Sequence, residues 1–219
     1  MSGTFEISKV MEILEIESKK WNSPVDTLVA LQKNNPFLVL ITTIVSLRTK
    51  DEVTIKVCEN LYKKLSTPKD ILNLSVEELA KLIYPCGFYN NKAKQIHTIC
   101  YELINNYNCV VPNEIEELIK FKGVGRKTAN LVLAEGYNIL AMCVDVHVDR
   151  ISNRFGYVRT KNPDSTEMRL RKKLPTQYWN RYNQLLVALG QSICRPVSPK
   201  CSECPVSKYC RRVGVINHR

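Results

Sequence analysis

Hydrophobic residues recur along this chain at three- and four-residue intervals, and alternation of period two is nearly absent, so the pattern predicts an all-α protein. Phe5, Val10, Met11 and Leu14 fall on one helical stripe. Ser23 before Pro24 and Asn35 before Pro36 each place an N-cap residue ahead of proline at the first helical position. Thr49 with Glu52 and Ser75 with Glu78 have capping-box spacing. Ile96, Cys100, Leu103 and Tyr107 stripe a helix expected to begin near Asn90, and Leu118 and Ile119 close a short helix ahead of a turn. Beyond that turn, a helix from Arg126 to about Tyr137 turns Leu131 and Val132 inward. Later helices are marked by Val148, Ile151 and Phe155, and by Trp179, Tyr182, Leu185, Leu186 and Leu189, with Pro163 and Pro175 read as the breaks between them.

The longest apolar run, Phe37 to Leu47, is interrupted by Thr42, Thr43 and Ser46 and falls short of the roughly 20 residues of a membrane span. It reads as a buried core helix, and no membrane partner is expected. No repeat, low-complexity segment or long linker divides the 219 residues, so any two domains must pack closely. The start of the chain lacks a basic n-region, an apolar h-region and a cleavage site, so the protein is expected to stay inside the cell. Nine cysteines, an odd number, fit a disulfide framework badly.

Charge changes the picture. Residues 1–119 hold 13 Lys/Arg against 15 Asp/Glu, a balance of −2, whereas residues 120–219 hold 19 against 6, a balance of +13. Cations concentrated in this way suggest a polyanion partner, nucleic acid ahead of an acidic membrane, with a merely solubilising excess of lysine as the alternative.

The basic half opens on the segment Phe121 to Asn130, FKGVGRKTAN. Gly123 and Gly125 can take positive φ angles and aim backbone N–H groups at an anion. Lys127 then falls in the first turn of the following helix, where unpaired N–H groups are inhospitable to an ammonium and favour a nucleophilic amine. Downstream, Cys194, Cys201, Cys204 and Cys210 are separated by six, two and five residues. Four clustered thiolates require a metal. Zinc would bind them tetrahedrally, but only Cys201 and Cys204 form a knuckle, and the uneven spacing better suits a [4Fe–4S] cluster. Cys58, Cys86, Cys100, Cys109 and Cys143 read as small core residues.

Hairpin and cysteine pattern coincide with three further stretches: SLRTKDEVT at 46–54, GFYNNKA at 87–93 and VDVHVDRISNR at 144–154. With GVGRKTANLVL at 123–133 and the four cysteines, in this order, the chain from about Pro24 to Cys210 resembles the endonuclease III family of helix-hairpin-helix DNA glycosylases with an iron–sulfur loop. The resemblance implies a two-domain helical fold. A six-helix barrel would cover residues 26–139, with the helix-hairpin-helix at about 114–137, and residues 1–25 and 140–219 would form a discontinuous cluster domain. DNA would lie across the cleft between them.

The same resemblance implies a base-excision enzyme that removes oxidised pyrimidines and nicks the abasic site by β-elimination, working as a monomer in the cytoplasm or on the nucleoid. Its partner would be double-stranded DNA bearing damaged bases or abasic sites. Lys127 would be the nucleophile and Asp145 the essential carboxylate, although Asp145 also reads as a plain N-cap. Cys194, Cys201, Cys204 and Cys210 would hold the cluster. Arg48 and Phe88 would flank the gap left by the flipped base, with Phe88 as wedge or, alternatively, a core aromatic. Lys122, Gly123, Gly125 and Arg126 would contact phosphates. His147 reads either as a phosphate or sugar contact or as a structural histidine. Arg48 departs from the family, in which bacterial members commonly have glutamine; a guanidinium there suits an unpaired guanine and implies a tilt toward lesions opposite G. Two rival readings are a mismatch-specific glycosylase of the same superfamily, which usually lacks a lysine at position 127, and a non-catalytic iron–sulfur DNA-binding protein.

Overall fold

The structure, a computed structural model, describes residues 5–219; residues 1–4, which carry the start of the predicted second domain and the expected absence of a leader, lie outside the described residues. Among the described residues there are twelve α-helices and no β-strand. The chain divides into two compact units, one of Thr27–Ala141 and one joining the segment up to Asp26 with Met142–Arg219.

Helix α1 (Ile7–Glu17) opens the described chain, and α2 (Pro24–Gln32) carries the boundary between the units. The unit of residues 27–141 then contains α3 (Pro36–Ser46), α4 (Asp51–Tyr62), α5 (Pro68–Leu72), α6 (Val76–Ile83), α7 (Tyr89–Asn106), α8 (Ile115–Leu118) and α9 (Arg126–Leu131). A π-helical turn, Val132–Gly136, continues α9, which shortens the predicted single helix and changes its repeat.

The apolar run at 37–47 forms α3, which is buried from Phe37 to Val45. Its start follows from sequence: Asn35 Oδ1 accepts from the N–H groups of Phe37 (2.9 Å) and Leu38 (3.3 Å), and Pro36 occupies the first position. The two threonines in this helix are satisfied locally. Thr42 shares a hydrogen bond with the Tyr62 hydroxyl (2.6 Å), and Thr43 donates to the Val39 carbonyl (2.8 Å). Around α3 pack α4, α7, α9 and the π turn. Gly136 approaches Pro36 so closely that a Cβ would lie 2.7 Å from the Pro36 Cα.

The capping box at Ser75 and Glu78 forms as its spacing predicts, with both reciprocal bonds present, and Thr67 with Asp70 forms a second. The box expected at Thr49 and Glu52 does not. Lys50 is the N-cap of α4, and the Thr49 hydroxyl is drawn instead to Gly87 and Lys92. Helix α7 begins at Tyr89, one residue before the expected start.

The other unit contains α1, α10 (Val146–Arg154), α11 (Pro163–Lys173) and α12 (Trp179–Ser192). Val10, Met11 and Leu14 of α1 pack with Val148, Ile151, Leu186 and Leu189 in one core. Arg181 grips Glu15 through two hydrogen bonds of 2.9 and 2.8 Å, fastening α12 to α1. Pro163 proves to be the first residue of α11 rather than a break, with Asn162 as its cap. Only Thr166, Glu167 and Leu170 of α11 are buried, so its sequence lacks a broad apolar stripe.

Asn35→Ala is expected to lower the stability of the folded chain by about 1 kcal/mol, read as a fall in denaturation midpoint at unchanged slope. An unchanged midpoint would show that the Asn35 cap does not hold the start of α3.

Candidate functional site

The hairpin between α8 and α9 is held from below and open above. Phe121 and Val124 are buried in the core, while Lys122, Gly123, Gly125, Arg126 and Lys127 are exposed. The turn closes through Val124 N–H donating to the Phe121 carbonyl (3.0 Å). Gly123 has φ +79°, which favours glycine, and a Cβ there would lie 2.6 Å from Nε2 of Gln95; that amide donates to the Lys122 carbonyl (3.0 Å). Gly125 differs from expectation. It is extended, with φ −95° and ψ 176°, and serves as the N-cap of α9. A Cβ at Gly125 would meet nothing within 4 Å, so its smoothness keeps the backbone open to an approaching group rather than permitting a special φ. Lys127 is the second residue of α9.

Two loops of the same unit meet beside α7. Arg48 (φ +52°) and Phe88 (φ +58°) are both left-handed, and the guanidinium carbon of Arg48 stands 5.5 Å from the centre of the Phe88 ring. Phe88 is 59% exposed, which removes the core-aromatic alternative. Sequence reasoning missed Lys92, which is buried beneath both loops and whose ammonium burial pulls down from its ordinary pKa.

In the other unit, Asp145 caps α10: one carboxylate oxygen accepts from the N–H groups of His147 (2.8 Å) and Val148 (2.9 Å). The N-cap reading is therefore met, and it leaves Asp145 half-exposed at the helix start. His147 is engaged within the fold, its Nδ1 lying 3.1 Å from Nη2 of Arg150. Arg150 in turn donates to the Cys194 carbonyl (3.0 Å), and Arg154 reaches the carbonyls of Arg195 and Pro196 (2.7 Å each) and Sγ of Cys194 (3.4 Å). These two arginines, one helical turn apart, bind α10 to the cysteine loop. Their i, i+4 spacing was visible in the sequence but gave no hint of its target.

Cys194, Cys201, Cys204 and Cys210 line one pocket, with Phe155, Leu189 and Ile193 among its apolar walls. Among the described residues no three His, Cys, Asp or Glu side chains converge tightly enough for a single metal ion. The four thiols line this one pocket together, the donor set of one thiolate per corner that a multi-iron cluster requires. Burial pushes the Cys204 thiol up to about 11 and raises Cys210, a cost that bound iron removes by stabilising the thiolates. Sulfur also finds donors: the Arg212 N–H lies 3.3 Å from Cys210 Sγ. The donor set thus fits an iron–sulfur group. None of the nine cysteines is joined in a disulfide; Cys58, Cys86, Cys100 and Cys143 are buried, with burial raising Cys58 to about 11 and Cys100 to about 12, whereas Cys109 is only half-buried and departs from the core reading.

Lys127 and Asp145 belong to different units, as do the hairpin and the cysteine loop. Among the described residues no helix is long and apolar enough to cross a membrane.

Residues 41–176 match the family described as HhH-GPD superfamily base excision DNA repair protein, and residues 194–210 match the iron–sulfur binding domain of endonuclease III. Endonuclease III of Thermotoga maritima is 43% identical over 179 residues, which span 82% of this chain and 84% of that protein. Endonuclease III of Bacillus subtilis is 36% identical over 182 residues, 83% of each chain. A trapped covalent intermediate of endonuclease III with DNA superposes with TM-score 0.75 at 33% identity, covering 89% of this chain and 96% of that one. A thermostable thymine-DNA glycosylase gives TM-score 0.74 at 26% identity over 89% and 96%.

Cys204→Ser is expected to strip the purified protein of its broad visible absorbance and of iron and sulfide, which the parent carries at about four each per chain. A parent protein that binds stoichiometric zinc instead would contradict the cluster, and full iron in the variant would remove Cys204 from the ligand set.

Proposed function

The chain belongs to the endonuclease III family of helix-hairpin-helix base-excision DNA glycosylases, an iron–sulfur DNA-binding group of enzymes, and from that premise we propose that it excises oxidised pyrimidines and cleaves the resulting abasic site through a lysine Schiff base. The observation that carries the lyase half is Lys127, exposed on the first turn of α9 directly after an outward-facing glycine turn.

In this reading the Lys127 amine attacks C1′ of the flipped nucleotide, the C1′–N bond breaks, and the base departs with a proton. The sugar ring opens to an iminium on Nζ. Loss of a C2′ proton then expels the 3′ phosphate in β-elimination, and water hydrolyses the imine to restore the amine. Asp145 stabilises the cationic sugar as the base leaves and accepts protons during these transfers, roles compatible with its capping bonds. A lysine that both attacks and retains the sugar separates this chemistry from that of a monofunctional glycosylase, which activates water.

Lys122, Arg126 and the turn amides at Gly123 and Gly125 hold phosphates without reading sequence. The open space above Gly125 supports that role. Phe88 fills the gap left by the flipped base, and Arg48 donates to the orphaned partner base, with guanine favoured because it offers two acceptors to a guanidinium. His147 contributes through Arg150 to the shape of this end of α10 rather than through a committed DNA contact. Cys194, Cys201, Cys204 and Cys210 ligate the [4Fe–4S] cluster, which when bound gives the C-terminal loop a rigid tetrathiolate scaffold. In the same reading the enzyme works as a monomer on double-stranded DNA inside the cell.

Lys127→Ala is expected to abolish borohydride trapping on abasic duplex while folding and most DNA affinity persist; undiminished trapping would end the nucleophile assignment. Asp145→Asn is expected to slow base release by about 100-fold or more, and near-parental turnover would reduce Asp145 to a cap. For Arg48→Gln, the ratio of turnover opposite G to turnover opposite A is expected to fall; a constant ratio would remove the guanine preference.

A further inference from the structure

Lys92 lies in the first turns of α7, 5% exposed, and the three N–H donors of its ammonium meet three acceptors from neighbouring groups. Nζ donates to the carbonyls of Val45 (2.7 Å) and Leu47 (2.6 Å) and to Oγ1 of Thr49 (2.8 Å). The two carbonyls belong to the C-terminal end of α3, where a cation meets the negative end of the helix dipole. Thr49 Oγ1 also accepts from the Gly87 N–H (3.1 Å). One buried charge therefore joins the loop after α3 to the loop before α7.

Those loops carry Arg48 and Phe88. Arg48 sits between Leu47 and Thr49, both of which Lys92 binds, and Phe88 follows Gly87, whose N–H shares the Thr49 hydroxyl. The two backbones touch: a Cβ at Gly87 would overlap the Arg48 carbonyl oxygen. Both exposed residues are in the left-handed region, a conformation that costs energy for non-glycine residues and persists only where surrounding contacts enforce it. Lys92 and Thr49 supply those contacts.

We propose that Lys92 is a positioning residue that locks the Arg48 and Phe88 loops into one rigid piece, so that gap filling and reading of the partner base are set together. The inference rests on the reading of Arg48 and Phe88 as DNA-facing. A buried lysine with only a stabilising role would lower the melting temperature without changing how the gap is opened or which partner base is preferred.

The test compares holoenzyme variants Lys92→Met and Thr49→Val with the parent on duplexes carrying one oxidised pyrimidine opposite G or A, with 2-aminopurine beside the lesion. Both variants are expected to lose most of the fluorescence rise that reports unstacking, while affinity for undamaged duplex stays near the parental value. The opposite-G to opposite-A turnover ratio is expected to fall about tenfold in Lys92→Met, and to fall no further when Arg48→Ala is added. If Arg48→Ala alone leaves the ratio unchanged, the reading of Arg48 fails, and the fluorescence still decides the role of Lys92. A folded Lys92→Met with parental fluorescence overturns the proposal. Should Lys92→Met not fold, Thr49→Val decides, because it keeps two of the three acceptors, and a parental fluorescence rise in it overturns the proposal equally.

Discussion

Burial of α3 is the constraint on which the unit of residues 27–141 depends. Nine consecutive side chains, Phe37 to Val45, are withdrawn from water, and each fully buried large aliphatic or aromatic one contributes about 1.5–3 kcal/mol. A helix buried on all sides must be wrapped, so α4, α7, α9 and the π turn take their places around it. The hairpin follows from this wrapping: Phe121 and Val124 are drawn into the core, and the turn between them and α9 is left facing outward. Where α3 ends, its last carbonyls need a partner, and Lys92 provides it.

Helix α10 has a comparable place in the other unit. Its buried face, Val148, Ile151 and Ser152, fixes it in the core, its N-terminus presents Asp145, and Arg150 and Arg154 tie it to the cysteine loop. The loop itself has little regular structure, a 3₁₀ turn at Ser207–Tyr209 aside, so its shape depends on the four thiolates and on these arginine–carbonyl bonds. A [4Fe–4S] cluster makes that dependence explicit, since metal affinity then becomes folding energy of the loop.

Much of this was legible in the sequence, for reasons that differ by element. Helix α3 announces itself by an apolar run, and Asn35–Pro36 and Ser75–Glu78 announce helix starts because caps act within a few residues. The cysteine pocket and the hairpin were visible because their chemistry depends on short spacings. What was hidden is what long-range partners decide. Thr49 looks like a cap by spacing, but Gly87, 38 residues away, and Lys92 claim its hydroxyl. Helix α11 buries too few side chains to print a stripe, so Pro163 reads as a break when it is a helix start. Gly125 looks like a positive-φ residue, yet the turn uses only Gly123 in that way. Arg150 and Arg154 resemble solvated helix charges until the carbonyls of the cysteine loop are in place.

The central claim is that the amine of Lys127, presented by this hairpin, forms the bond to DNA. Its most direct test is to trap the holoenzyme on an abasic duplex with borohydride, digest the adduct and locate the modified residue by mass spectrometry. The account predicts a single reduced adduct on Nζ of Lys127, with Lys122 and the other lysines unmodified. An adduct on another lysine, or on the chain's N-terminal amine, would contradict it.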